Sequence, residues 1–246
     1  MENVAYIALS RQMTLRRELD IAANNVANAD TVGFKVEQLM VGTELGRGAR
    51  NDPIKAPASF VLDNGVGRDF RAGEMRVTGN TFDFAVEGED AFFQINAPQG
   101  ARFTRDGRFT TDPQGRLVTQ QGFPVMGEGG GEILLDPRKS PPSVSADGIV
   151  TQDGERVGRI GVVRFPALSA LSKDGDNLYA NASNQQPEAA TDARIRQGVL
   201  EGSNVKPVVE ITNLIEITRA YERISKMIDQ STDLSRRSVE RLGRVS

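Results

Sequence analysis

Histidine, cysteine and tryptophan are all absent from this 246-residue chain. Without cysteine there is no thiol nucleophile and no disulfide, and without histidine there is no Ser-His triad. The two absences together remove the usual nitrogen and sulfur ligands of zinc. Aromatics make up 6% of the residues, which leaves little surface on which sugars or bases could stack. A formal charge of −3 gives neither a basic footprint for nucleic acid nor an acidic tail. No apolar run approaches the ~18 residues that span a bilayer, and no fixed-period repeat is found. No cofactor, metal, nucleic acid or direct membrane insertion is therefore expected. The opening MENVAYIALSRQMTLRRELD is broken by Arg11, Arg16, Arg17, Glu18 and Asp20, so it lacks the ~7–15-residue apolar centre of a secretory signal. The chain is expected to be cytoplasmic or to leave by a route that reads no cleavable signal.

What is present is balanced, with 38% hydrophobic and 26% charged residues, which is neither a disordered nor a membrane composition. From about Asn3 to Ala29 there is no Pro or Gly, and helix formers dominate. Leu15, Leu19, Ala22, Val26 and Ala29 recur at alternating steps of four and three, a coiled-coil-like stripe. Asn24, Asn25 and Asn28 sit inside this helix although asparagine is a poor helix former. Gly33 is placed to end it. At the other end, Pro207 suits a first helical turn, with Ser203 or Asn204 as capping candidates. Leu214, Ile217, Tyr221, Ile224 and Ile228 then form a second stripe, widened by Ile211, Ile215 and Met227. It fades through Ser231, Ser235 and Ser238, and Gly243 is expected to mark its end.

Between the ends the period becomes two. Phe82, Phe84 and Val86 alternate with Asp83 and Ala85, and Phe92-Phe93-Gln94-Ile95 follows a polar turn. Asp-Gly pairs at 106–107, 147–148, 153–154 and 174–175, with Pro113-Gln114-Gly115, read as hairpin turns between short antiparallel strands. The expected fold is α+β. N- and C-terminal helices form a coiled-coil-like α domain, and a mainly antiparallel β domain is inserted between them. The boundaries are helix 1–35, an extended or irregular connector 36–69 containing Gly42, Gly46, Gly48, Pro53 and Pro57, β domain 70–200, and helix 201–246. The runs 127–131 and 181–191 are expected as exposed loops.

Three features could suggest chemistry. Asp83, Glu87, Glu89 and Asp90 cluster in FDFAVEGEDAFF, and paired carboxylates cleave glycosides, but acids in hairpins are ordinary surface residues. A hydrolase would need these acids to share a cleft. The glycine run 127–131 lacks the GK[ST] ending and following helix of a phosphate loop. Asn181-Ala182-Ser183 matches a glycosylation sequon by three residues only. Arg236, Arg237, Arg241 and Arg244 read either as a solvated face or as contacts to acidic patches on neighbouring subunits. The terminal seams likewise leave open a self-contained helix pair or packing between subunits.

LDIAANNVANADTVGFK (residues 19–35) resembles the N-terminal signature of bacterial flagellar axial proteins, the rod and hook group. Asn24, Asn25, Ala27, Asn28, Thr31, Gly33, Phe34 and Lys35 match it. GVLEGSNVKPVVEITNLIEITRAYE (198–222) is similar to the group's C-terminal signature at Gly198, Leu200, Glu201, Ser203, Asn204, Val205, Glu210, Arg219, Tyr221 and Glu222. FDFAVEGEDAFFQI and FTRDGRFTTDPQGRLVTQQGFPVMG resemble its β-domain signature, including Asp83, Gly88, Phe92, Phe93, Arg105, Gly107 and Phe109. Glu89-Asp90-Ala91 departs from the short Asp-Gly more usual there. Length and the opening stretch are most like a proximal-rod member, with distal-rod and hook members as rivals; a secreted β-domain binding protein is the reading from another class.

The resemblance implies a structural, non-enzymatic subunit that polymerises helically with itself and other rod proteins. Its terminal helices would form an inner tube around the export channel, with the β domain outside. It implies export by the flagellar type III apparatus without a cleaved signal, and a place in the basal-body rod within the periplasm. The assembly interface it implies comprises Leu15, Leu19, Ala22, Asn24, Asn25, Val26, Asn28, Thr31, Gly33, Phe34, Ser203, Asn204, Glu210, Leu214, Ile217, Arg219, Tyr221, Ile224 and Ile228, with the asparagines fixing register between helices.

Overall fold

A computed structural model describes residues 2–45, 59–183 and 185–243. The fold is α+β: two long helices, one near each end, and mainly antiparallel sheets. The chain divides into two compact units. The first comprises Met1–Ala27, Glu37–Arg68 and Lys206–Ser246; the second comprises Asn28–Val36 and Asp69–Val205.

In the first unit, α1 (Glu2–Ala27) and α2 (Pro207–Gly243) pack side by side. Gln12 Nε2 donates to Ser225 Oγ at 2.9 Å, and Asn25 Nδ2 donates to Glu210 Oε2 at 3.0 Å. The helices therefore run antiparallel, since advancing along one retreats along the other. Their seam follows the apolar period. Ala8, Leu15 and Ala22, each seven residues apart, are buried on α1. On α2, Leu214, Ile217, Tyr221, Ile224 and Ile228 are half-buried on one face. Pro207 opens α2, where its missing N–H costs nothing. Neither Ser203 nor Asn204 is the cap, because the first helical bonds run from Val209 and Glu210 N–H to the Lys206 carbonyl.

The stretch 36–69, expected as a connector, instead holds two paired strands. β1 (Glu37–Leu45) and β2 (Ser59–Arg68) form an antiparallel ladder with an irregularity between Leu39 and Val41. The glycines and prolines that suggested irregular chain are Gly42, within β1, and Gly46, Gly48, Pro53 and Pro57, which lie outside the described residues. A helix end also moves. Ala29 falls beyond α1, which stops at Ala27, because Asn28 begins a turn closed by Thr31 N–H on the Asn28 carbonyl at 3.1 Å. Residues 28–35 and 201–205, expected with the helices, belong to the second unit.

That unit is built on a six-stranded antiparallel sheet in the order 171–173, 178–181, 100–104, 91–97, 162–164, 188–189. Both faces are buried, so adjacent residues enter different cores. Phe93, Val162 and Leu178 face Phe84, Phe109 and Ile160. Their neighbours Phe92, Val163 and Tyr179, with Phe103 of the same sheet, pack with Phe70 and Phe165. The few aromatics are concentrated here, edge to face, with Phe103 and Phe165 centroids 4.7 Å apart. Glu188–Ala189 supplies the sheet's short edge strand from a run expected as loop.

Three of the Asp-Gly pairs do turn the chain. Asp153 and Gly154, with φ of 50° and 83°, form a two-residue hairpin between 149–152 and 155–159. Gly148 and Gly175 also have positive φ. Asp106-Gly107 is the exception, and its glycine serves close approach. Phe84 N–H donates to the Gly107 carbonyl at 2.9 Å, and a methyl at Gly107 would stand 1.6 Å from the Phe84 oxygen. Gly107→Ala is expected to destabilise this unit by more than about 3 kcal/mol, read as a lowered urea midpoint; an unchanged midpoint would contradict the packing described.

Candidate functional site

The residues expected at an assembly interface separate into two groups with different work. Those in the first unit line the helix pair. Leu15 and Ala22 are buried and Leu19 and Val26 half-buried, while Leu214, Ile217, Tyr221, Ile224 and Ile228 face them from α2. Asn25 is buried at 1% exposure. Its amide donates to the Glu37 carbonyl at 2.8 Å and to Glu210 at 3.0 Å, and its oxygen accepts from the Glu37 N–H at 2.9 Å. One asparagine thus ties α1, the start of β1 and the first turn of α2, which suits a side chain that both donates and accepts. Asn24 and Arg219 are exposed. Asn24, Asn25 and Asn28 therefore do not share one task.

The hydrophobic seam leaves other apolar faces uncovered. Tyr6, Leu9 and Met13 are exposed on α1, and Val208, Ile211 and Ile215 on α2. At 3.6 residues per turn the first trio lies opposite Ala8, Leu15 and Ala22. The second lies well round α2 from Leu214, Ile217 and Tyr221.

The second group builds a buried junction in the β unit. Asn28 Oδ1 accepts from Thr31 Oγ1 at 3.1 Å. Gly33 follows with φ of 70°, where a methyl would meet the Arg105 backbone at 2.6 Å. Gly33 N–H donates to the Glu201 carbonyl at 2.8 Å. Phe34 is buried with Val36 and Val205, and the Lys173 ammonium sits 4.4 Å from its ring centre. Asn204 accepts the Val36 N–H at 2.8 Å and donates to the carbonyls of Asp69 at 2.8 Å and Arg71 at 3.1 Å. Ser203 Oγ accepts the Val205 N–H at 3.2 Å.

At the centre are three charged side chains with no solvent exposure. Lys35 Nζ donates to Glu201 Oε1 at 2.6 Å and to the Arg71 carbonyl at 2.7 Å. Arg105 Nη1 lies 3.3 Å from Glu201 Oε2 and 3.2 Å from the Val86 carbonyl, its Nη2 donates to the Gly88 carbonyl, and its guanidinium lies 5.0 Å from the Phe92 ring centre. Gly73 N–H completes the set on Glu201 Oε1 at 2.9 Å. These three residues were not among the expected interface residues. The available signal was that each matches a different signature block and that their charges are opposite.

The four clustered acids do not converge. Asp83 is buried and accepts from Thr78 Oγ1 at 2.7 Å and Asn80 Nδ2 at 3.1 Å. Asp90 pairs with Arg164 at 2.5 Å, while Glu87 and Glu89 are exposed. Among the described residues no cluster of His, Cys, Asp or Glu is arranged to hold a metal ion.

The two helical ends and the β unit each match a known family. Residues 6–35 match the flagella basal body rod protein family, 85–152 the flagellar hook protein FlgE/F/G D1 domain, and 196–241 the flagellar basal body rod FlgEFG protein C-terminal family. The chain belongs to this family of flagellar basal-body rod proteins, and a structural subunit of the rod is the role that membership carries. Over the full length of both chains it is 57% identical to the flagellar basal-body rod protein FlgF of Caulobacter vibrioides and 38% identical to that of Mesorhizobium japonicum. It is 32% identical to the rod protein FlgG of Bacillus subtilis, covering 93% of this chain and 95% of that one.

Removing the carboxylate strands two buried cations, so Glu201→Ala is expected to cost about 3–5 kcal/mol of unfolding free energy, measured by urea denaturation of the β unit. Burial is the main cause that holds Lys35 below its ordinary 10.5, with Glu201 opposing it and Arg105 adding to it. Between the lowered folded value and 10.5 the unfolded chain binds more protons, so Lys35's contribution rises with pH through that window and is least below it. The unfolding free energy of the native chain minus that of Lys35→Met should therefore increase as pH is raised toward 10.5; a flat or falling difference would contradict it.

Proposed function

We propose that this rod subunit is of the FlgF type, in the proximal rod, and polymerises helically through α1 and α2 with itself and other rod proteins. The α1–α2 pair acts as a coiled-coil-like module, supported by the alternating three- and four-residue steps of both seams. The β unit is inserted between the two helical ends and lies outside the helical layer. The tube so formed encloses an export channel and transmits torque. The chain reaches the periplasm through the flagellar export apparatus without a cleaved signal.

The observation carrying this reading is the apolar surface left after the helices have paired: Tyr6, Leu9 and Met13 on one side, Val208, Ile211 and Ile215 on the other. Water-facing stripes of this kind on both helices suit a subunit that finishes burial in an assembly. Leu15, Leu19, Ala22 and Val26 pair with α2 within the chain, and the exposed stripes meet neighbours. The junction of Gly33, Phe34, Lys35, Glu201 and Asn204 serves each subunit internally.

In cells lacking the native gene, Met13→Asp and Ile215→Asp are each expected to accumulate as folded chains with native helix content yet fail to restore swimming or basal-body rods. Normal swimming by both variants, or purified basal bodies lacking the chain altogether, would overturn the reading.

A further inference from the structure

We propose that Asn64-Gly65, within β2, is a self-modification site at which the folded chain turns its own asparagine into isoaspartate and aspartate, with water as the only co-reactant. The isoaspartate so formed loosens the β1–β2 ladder. This chemistry stands apart from the rod-subunit reading and does not depend on it.

Asn-Gly is among the strongest two-residue hairpin signals, and this is the one such pair in the chain. It does not turn the chain here. The ladder reaches its connected end where Leu45 pairs with Ser59, and Asn64 and Gly65 lie well inside β2. Leu39 pairs with Val66 and Val41 with Asp63, so Asn64 and Gly65 together face the single residue Met40. Two residues opposite one make a β-bulge, which interrupts the ladder locally. Gly65 has φ of 107°, a conformation that glycine adopts at no steric cost.

The surroundings favour attack of the Gly65 nitrogen on the Asn64 side chain. Asn64 is exposed, and no hydrogen bond holds its side-chain amide among the described residues. The amide instead rests against Gly42 of β1, where a methyl would stand 2.6 Å from Asn64 Nδ2. A methyl at Gly65 would meet nothing within 4 Å among the described residues, so the space beside the attacking nitrogen is open. The β1–β2 sheet has two strands only. Such a ribbon is marginally stable by itself and opens locally at small cost, which lets Asn64 Cγ and the Gly65 nitrogen meet.

The step balances with no further reagent. The Gly65 backbone nitrogen loses its proton to water, bonds to Asn64 Cγ and expels ammonia, which closes a cyclic imide. Water then opens the ring. Breaking the bond from the nitrogen to Cγ leaves an ordinary backbone and an aspartate. Breaking the bond to the Asn64 main-chain carbonyl carbon instead routes the backbone through the side chain, as isoaspartate. That product adds a methylene to the backbone of β2 and a negative charge beside it, and both work against the ladder.

Other asparagines lack this combination. Asn25 is held by Glu37 and Glu210, Asn204 by Val36, Asp69 and Arg71, and Asn80 Nδ2 donates to Asp83 at 3.1 Å. Each of the three is followed by a β-branched residue, Val26, Val205 or Thr81, whose side chain crowds the attacking nitrogen.

The full chain kept folded in mildly alkaline buffer, sampled over days and digested with trypsin, reads the reaction directly. Cleavage after Lys55 and Arg68 isolates residues 56–68, in which Asn64 is the one asparagine. The mass gain of an amide turned into an acid is expected in this peptide ahead of every other asparagine-containing peptide. An isoaspartyl methyltransferase supplied with labelled S-adenosylmethionine should label the same peptide. Asn64→Gln should lose both signals while keeping the urea midpoint of the native chain. In the aged chain, amide exchange should quicken over 37–45 and 59–68 and stay unchanged over 91–97 and 100–104.

No conversion in the folded chain over the time in which a urea-unfolded sample converts fully would overturn the proposal. Conversion spread evenly over the exposed asparagines, or label retained by Asn64→Gln, would do the same. Conversion at Asn64 without quickened exchange would overturn the loosening of the ladder.

Discussion

Two cations and one carboxylate meet inside the β unit where no solvent reaches them, and the course of the chain around them follows from their needs. Taking Lys35, Arg105 and Glu201 out of water is costly, and attraction offsets that cost only when the remaining donors and acceptors are satisfied. The charges are uneven, and most of the surplus is met by dipoles, the carbonyls of Arg71, Val86 and Gly88 and the face of Phe92, while Arg105 Nε is left without a hydrogen-bond partner among the described residues. Those groups come from separate segments of the unit. Holding them within reach draws residues 33–36, 69–73, 86–92, 105 and 201–205 together, and Gly33 and Gly73 leave room for the backbones to approach.

Within each unit, a side-chain amide joins segments that no sheet connects. Asn25 in the helical unit and Asn204 in the β unit each bond both to a backbone N–H and to carbonyls. A leucine at either place would bury more apolar area and take the side-chain partner from two backbone groups, Glu37 N–H and carbonyl at Asn25 or Val36 N–H and the Asp69 carbonyl at Asn204, at roughly 1–3 kcal/mol each. An asparagine that weakens a helix by propensity can thus strengthen the unit that contains it.

Periodicity made much of this molecule legible in advance. The stripes on both helices, the alternation around Phe82–Val86, the Phe92-Phe93 doublet and most Asp-Gly turns are local signals, and each corresponds to an element. The stretch 36–69 was misread because it carries scattered glycine and proline and no sustained period, while β1 and β2 gain their order from pairing with each other. The end of α1 lay two residues early because Asn28 and Thr31 bond to one another. Gly107 looked like a turn residue, but its need for no side chain comes from Phe84, distant in sequence. The charged centre was visible only as signature matches, since nothing local about Lys35 foretells a partner 166 residues away.

That separation has a consequence for the order in which the molecule acquires structure. Closing a loop of this length is entropically unfavourable until its contacts form together. On a ribosome, Lys35 emerges long before Glu201, and α1 long before the helix that covers its seam. Neither unit can complete itself from the N-terminal portion alone, so native structure is deferred until nearly the whole polypeptide is available. A growing chain of this design stays pliable for most of its length and becomes rigid late.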